Sequence, residues 1–120
     1  MYKYKAKVVD IYDADTLTLE IQLGFYITMV QKVRLIGIDT PELRTKDLRE
    51  KELGYKARDS LRDLILEKEV EIETTKQGKY GRYLVNIFYD DININNELIR
   101  LGYAKPYFGG KKSKNWFDDI

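Results

Sequence analysis

The chain has 120 residues, 43% of them hydrophobic and 34% charged, with a formal net charge of +1. A chain of that length removes roughly two thirds of its unfolded surface from water, which predicts a single domain over residues 1–120 and excludes disordered and collagen-like sequence. It contains no cysteine and no histidine, so disulfides, thiolate zinc sites, cysteine nucleophiles and imidazole bases are excluded. Catalysis must rest on Asp, Glu, Lys, Arg, Tyr, Ser or Thr, and any metal must be a hard, oxygen-ligated cation such as Ca²⁺ or Mg²⁺.

No apolar run approaches the roughly 20 residues of a membrane span. Met1 to Lys7 alternates rings and charges without the apolar segment of a secretory signal. The expectation is a cytoplasmic protein with no membrane partner, and nothing in the sequence demands more than a monomer. Local charge says more than net charge. Lys76 to Arg82 carries three cations and no acid, and Lys105 to Lys114 carries four and no acid. Charge alone makes these runs solvated surface.

Tyr4 to Ile11 reads as a first strand, followed by an acidic bend from Asp10 to Asp15. Thr16, Thr18, Glu20 and Gln22 then alternate with Leu17, Leu19, Ile21 and Leu23, the pattern of a half-buried strand. Gly24-Phe25 supplies a turn, and the β-branched and aromatic stretch Tyr26 to Ile38 predicts a long third strand. Pro41 cannot donate to a ladder and pushes Thr40 toward extended geometry, so the strand should end there with Asp39 and Glu42 on its exit turn.

Leu43 to Glu52 has no periodicity and predicts an exposed, mobile loop. Ala57, Leu61, Leu64 and Ile65 form one helical stripe. Val70, Ile72 and Thr74 alternate with Glu69, Glu71 and Glu73 in a fourth strand, and a glycine-punctuated turn from Lys76 to Arg82 leads to a fifth, Tyr83 to Tyr89. Asp90-Asp91 is a further turn. Ile94 and Asn95 predict an apolar N′ residue and an N-cap for a short helix through Leu101, with Gly102 as its C′ residue. Tyr103 to Ile120 is aromatic and basic without periodicity. Five strands with a helix between the third and fourth fit a mainly β fold with accessory helices (α+β), a small closed barrel of the OB type.

The charged residues at strand boundaries are Asp13 and Asp15 before the second strand, Arg34 within the third, Asp39 and Glu42 after it, and Arg82 before the fifth. Strand ends from three strands can converge at one barrel mouth, where carboxylates repel unless a cation joins them. Asp15 and Asp39 can each offer an oxygen to Ca²⁺ at about 2.3–2.6 Å. Such an ion would act as a Lewis acid on a phosphate oxygen. Arg34 and Arg82 can clamp that phosphate, and Glu42 is the candidate general base for water. Each has a plainer reading: Asp13-Ala14-Asp15 as an ordinary Asx turn, Arg34 as a paired or snorkelling arginine, Glu42 as surface.

Taken together, Asp13-Ala14-Asp15-Thr16, Arg34 through Glu42, Lys79-Tyr80-Gly81-Arg82 and Asn96 through Ala104 resemble the staphylococcal nuclease (thermonuclease) family from about Tyr4 to Lys105. The resemblance implies an OB-fold nuclease that uses one Ca²⁺ to hydrolyse DNA and RNA, single strands preferred. Water attacks phosphorus and the 5′ oxygen leaves, giving 3′-phosphates. It also implies Asp15, Asp39 and the Thr40 carbonyl as metal ligands, Asp13 as a nearby acid, and Arg34, Glu42 and Arg82 as catalytic. Lys79 and Tyr80 match positions that contact a terminal phosphate, and Tyr107 and Phe108 the aromatic region that meets the base. Ala14 stands where the family commonly has glycine, costing about 1 kcal/mol if the bend needs positive φ. Gly109-Gly110 falls where a second aromatic belongs, and Lys114 to Ile120 is too short for the family's C-terminal helix. The rival readings are an OB module that binds single-stranded nucleic acid without cutting it, and a protein-interaction domain built on the aromatic tail. Retention of Asp15, Arg34, Asp39, Glu42 and Arg82 together favours the nuclease.

Overall fold

The computed structural model describes residues 2–77 and 83–107. The strands β1 (Tyr2–Asp13), β2 (Thr16–Gly24) and β3 (Ile27–Leu35) form an antiparallel meander. A short β4 (Ile38–Asp39) follows, then α1 (Leu48–Ile65), β5 (Glu69–Gln77) and β6 (Tyr83–Tyr89). The chain continues with β7 (Ile92–Asn93), α2 (Ile94–Arg100) and β8 (Lys105–Pro106). The sheet order is β3-β2-β1-β5-β6-β7, and Val33 to Leu35 of β3 pair in parallel with Tyr83 to Val85 of β6. That last pairing closes the five long strands into a mixed barrel of the OB type, with two helices among the described residues.

Strand β1 is shared. Its first half pairs with β5 and its second half with β2, with register shifts between Val8 and Asp10 and between Ile11 and Asp13 that let it bend from one neighbour to the other. Its lysines set its place against β5: Lys3, Lys5 and Lys7 lie opposite Glu73, Glu71 and Glu69. Slipping by one residue would put lysines beside Val70 and Ile72, which are buried. The core inside the barrel comes from Val8, Ile11, Leu17, Leu19, Val33, Leu35, Ile72, Val85 and Ile87, capped by Leu61 and Ile65 of α1 and Leu98 of α2. The expected stripe of α1 is present, with Ala57, Leu61 and Ile65 fully buried and Leu64 packed at its edge.

Several boundaries differ from the sequence expectation: the first strand runs from Tyr2 to Asp13, so the bend expected from Asp10 is confined to Ala14 and Asp15. The third strand ends at Leu35 instead of running to Ile38, because Gly37 at φ 80° turns the chain before β4. The expected loop from Leu43 to Glu52 already contains the first turn of α1. Asp47 caps it by accepting from Arg49 N at 3.0 Å and Glu50 N at 3.3 Å. The N-cap of α2 is Asn93, not Asn95. The bend at Ala14 does not use the left-handed region, so alanine costs nothing there, and its methyl group is buried. The expected absence of a C-terminal helix over Lys114 to Ile120 concerns residues outside those described. No helix among the described residues is long and apolar enough to cross a membrane.

Asn95 has a different task. It is buried, donates from Nδ2 to Ile36 O at 2.9 Å and Val85 O at 3.1 Å, and accepts from Ile87 N at 3.2 Å. It thereby ties α2 to β6 and to the turn after β3. Removing its amide takes one partner from each of three backbone groups, of which Val85 O keeps its bond from Ile36 N. Asn95→Ala should therefore destabilise the protein by about 3 kcal/mol, read as a lower urea midpoint at unchanged slope.

Candidate functional site

The β1–β2 turn is built by its own acids. Asp13 Oδ1 accepts from Asp15 N at 3.2 Å, an Asx turn, and Asp15 O accepts from Leu35 N at 2.9 Å, fixing the turn to the end of β3. Asp13 therefore fills the plainer role of a turn residue, and in doing so it aims Asp15. In β3, Arg34 lies opposite Thr16, and its Nη2 is 3.3 Å from Asp15 Oδ2. Thr16 Oγ1 donates to the other carboxylate oxygen of Asp15 at 3.2 Å. Both members of the Arg34–Asp15 pair are largely shielded from solvent, so the interaction is stronger than a surface ion pair. Each partner would be costly to leave alone.

The second segment comes from β4. Asp39 and Thr40 are both buried, and Asp39 lies opposite Lys105 of β8 in an antiparallel bridge. Tyr107 is half-buried and donates its amide to Gly37 O at 2.8 Å, which brings it to the turn that precedes Asp39. Glu42 is exposed on the chain leaving the site, past Pro41. Among the described residues five polar or charged ones are buried; Asn95 is one, and the other four are Asp15, Thr16, Asp39 and Thr40. Burial of polar groups is expensive, so its concentration in two short segments marks the place where this fold spends stability on something other than itself.

Asp13 shows the electrostatic consequence. Burial first, then the hydrogen bond and charge of Asp15, push its carboxyl from the ordinary 3.8 up to about 7. The donors Asp15 and Asp39 and the Thr40 carbonyl are all oxygen, which suits a hard cation. No three carboxylates among the described residues lie close enough to hold a metal by themselves, so backbone oxygen and water would have to complete any shell.

Sequence reasoning missed the residues that hold Glu42. Its backbone amide donates to Glu50 Oε2 of α1 at 2.9 Å. Gly54, one turn further along α1, lets the segment lie close: a Cβ there would stand 3.0 Å from Pro41 O and 3.2 Å from Glu42 O. The signals were present, an Asp47-x-x-Glu50 helix start and a glycine inside a helical pattern. The expected sites Lys79, Tyr80, Arg82 and Phe108 lie outside the described residues.

The raised pKa of Asp13 gives a stability profile. With no metal bound, the folded state holds a proton that the unfolded state releases between pH 3.8 and about 7, so stability from this group falls as pH rises through that window. In chelator, Asp13→Asn should melt with the wild type below the window and above it at neutral pH and beyond. Equal melting temperatures at every pH would remove Asp13 from the buried cluster.

Comparison with known proteins agrees with this geometry. A sequence model of the family described as "Staphylococcal nuclease homologue" matches residues 32–118. An uncharacterized protein of Methanocaldococcus jannaschii is 35% identical, aligned over 98% of this chain and 66% of its own length. An uncharacterized endonuclease of Haemophilus influenzae is 34% identical over 88% of this chain and 53% of its own. The thermonuclease of Staphylococcus hyicus is 29% identical over 85% and 59%. This chain thus spans about half to two thirds of the length of these relatives. The barrel, the buried carboxylates at its mouth and the family match together show that the chain belongs to the staphylococcal nuclease homologue family.

Proposed function

We propose that the chain is a Ca²⁺-dependent endonuclease that hydrolyses phosphodiester bonds in DNA and RNA, acting by preference on single strands and as a monomer. The observation that supports it most is the Arg34–Asp15 pair, both members largely shielded from solvent, together with the burial of Thr16, Asp39 and Thr40 in the two segments that carry the candidate acids. Asp15, Asp39 and the Thr40 carbonyl are the residues that would hold the ion, with Asp13 behind them. Bound there, Ca²⁺ supplies Lewis-acid stabilisation of charge on a phosphate oxygen.

The chain's own residues do the rest. Arg34 has five N–H donors and gives Asp15 a contact through Nη2, so its remaining donors are available to non-bridging phosphate oxygens. Arg82 is the second cation of the proposed clamp, and Lys79, Tyr80, Tyr107 and Phe108 would contact the rest of the nucleotide. Glu42, which is exposed, accepts the proton as water oxygen bonds to phosphorus. The bond from phosphorus to the 5′ oxygen breaks, that oxygen takes up a proton from solvent, and a 3′-phosphate remains.

Incubation of denatured DNA and of RNA with Ca²⁺, with Mg²⁺ and with a chelator tests the reading. The expected result is Ca²⁺-dependent degradation of both polymers, reduced about 10²–10³-fold in Arg34→Ala, the scale for one preorganised donor. Binding of either polymer without cleavage in any metal would turn the reading to a non-catalytic OB module.

A second expectation comes from α1. Alanine normally stabilises a helix interior by about 1 kcal/mol over glycine. In Gly54→Ala the new methyl group meets Pro41 O and Glu42 O and must move the Glu42 segment by a few tenths of an ångström. The helix gain then offsets the strain, so the melting temperature changes little while kcat falls. Unchanged kcat would mean that the position of Glu42 does not limit turnover.

A further inference from the structure

Beside the carboxylates lies a cleft that the reaction leaves unused. The end of β1, the segment after Glu42 and one face of α1 enclose about 370 Å³. Its walls carry Arg44, Lys51, Arg58 and Arg62 against a single carboxylate, Asp10. The net charge of the whole chain is only +1, so this excess is a local arrangement. Elsewhere on the surface lysines meet acids: Lys3 with Glu73, Lys7 with Glu67, Lys56 with Glu52. Among the described residues no carboxylate forms an ion pair with Arg44 or Lys51.

The residues that line the cleft adjoin the candidate site along the chain. Tyr12 immediately precedes Asp13, and Leu43 and Arg44 immediately follow Glu42. Lys32 shares a face of β3 with Arg34, two residues away. The Lys32 Nζ atom lies 5.9 Å from the centroid of the Tyr12 ring, and the Arg44 guanidinium lies 5.7 Å from it. One ring therefore gathers the cation beside Arg34 and the cation at the cleft entrance. Deeper in, the Arg58 guanidinium stacks at 4.6 Å over Tyr55 and pairs with Asp59, and Arg62 donates twice to Ile11 O, at 2.8 and 3.2 Å. These two arginines hold the wall, while Arg44 and Lys51 keep their charge for a ligand. A row of cations spaced along a groove and held on aromatic rings suits a chain of phosphodiesters better than one small anion.

We propose that the cleft is an extended subsite for the sugar-phosphate backbone of single-stranded nucleic acid, taking the strand beyond the scissile phosphate along Lys32, Arg44 and Lys51. The proposal rests on the nuclease reading and lengthens its substrate from one phosphodiester to several. The test is fluorescence anisotropy of a long labelled oligothymidylate in chelator across a salt series, with wild type, Arg44→Glu, Lys51→Glu and the charge-neutral Lys51→Gln. Thermal melts serve as the folding control.

Binding should weaken in all three variants, by about tenfold in the charge reversals. The slope of log K against log salt should become shallower by about 0.7 for each phosphate that the protein no longer neutralises. With Ca²⁺ present, the ratio of kcat/KM for the long strand to that for a dinucleotide should fall by a similar factor. Wild-type affinity and slope in folded variants would overturn the subsite. A wild-type chain that cleaves nothing yet loses strand binding on Arg44→Glu would overturn the hydrolytic reading and leave the subsite standing.

Discussion

Val33 and Arg34 are paired on both edges, with β2 on one side and with β6 on the other, Leu35 pairs with β6 and bonds to Asp15 O, and the closure of the barrel depends on that short stretch. Because the β3–β6 pairing is parallel it cannot be made by a hairpin, and the chain must travel through α1 and β5 before it returns. Two further bonds secure it: Ile36 N donates to Val85 O at 2.9 Å, and Asn95 reaches Ile36 O from α2. Arg34 sits in the middle of this stretch, so its position is fixed by the closure of the barrel. Its partner Asp15 is fixed to the same stretch through Leu35 N.

The same closure explains why acids can be collected at the barrel mouth. The segment carrying Asp39 is held by main-chain bonds, through the β4–β8 bridge and the amide of Tyr107 on Gly37 O. The turn carrying Asp15 is held by Leu35 N. Main-chain bonds thus share the holding of these segments with the Asp13 turn bond and the Arg34–Asp15 pair, which lets carboxylates sit there although they disfavour one another. The upward shift of Asp13 comes first from burial and then from Asp15 beside it, so it reflects that conflict only in part. Arg34 offsets part of it by pairing with Asp15, and a bound cation would offset more.

Much of the fold was legible because burial leaves a period in the sequence. The alternation in β2 reads directly onto its paired neighbours, and the stripe of α1 onto the barrel floor. The register of β1 against β5 was also written, as lysines and glutamates at the same two-residue spacing, but it becomes readable only once the two strands are known to be partners. Asn95 could not be read. An asparagine before a helical run looks like a cap, and only the arrival of Ile36, Val85 and Ile87 from distant positions shows that it bonds backbone in the core. The early start of α1 was hidden for another reason. Leu48 is exposed and the first turn buries no apolar stripe, so capping chemistry at Asp47 was the sole local signal. For the candidate site, residue type at strand boundaries pointed to Asp13, Asp15, Arg34 and Asp39, and the family resemblance added Thr40. Glu50 and Gly54, which hold the Glu42 segment, left local signals of a helix start and an interior glycine, but their partners are met only in space.

The β2–β3 hairpin orders function along its length. At one end Thr16 faces Arg34, beside the buried acids; at the other Gly24 faces Ile27. Eight residues of strand separate Thr16 from Gly24, on the order of 26 Å at strand rise. At the far tip Phe25 and Tyr26 adopt φ of 54° and 62° and stand almost wholly in solvent. These left-handed values at both central residues are what a tight hairpin turn requires, a geometry that asparagine and glycine normally supply. The site end has less such freedom, since Arg34 there also pairs with β6 in the contact that closes the barrel. Arg34 therefore lies at the end of the hairpin tied to the barrel seam, and the apolar turn with left-handed residues lies where a change of conformation would leave the position of Arg34 untouched.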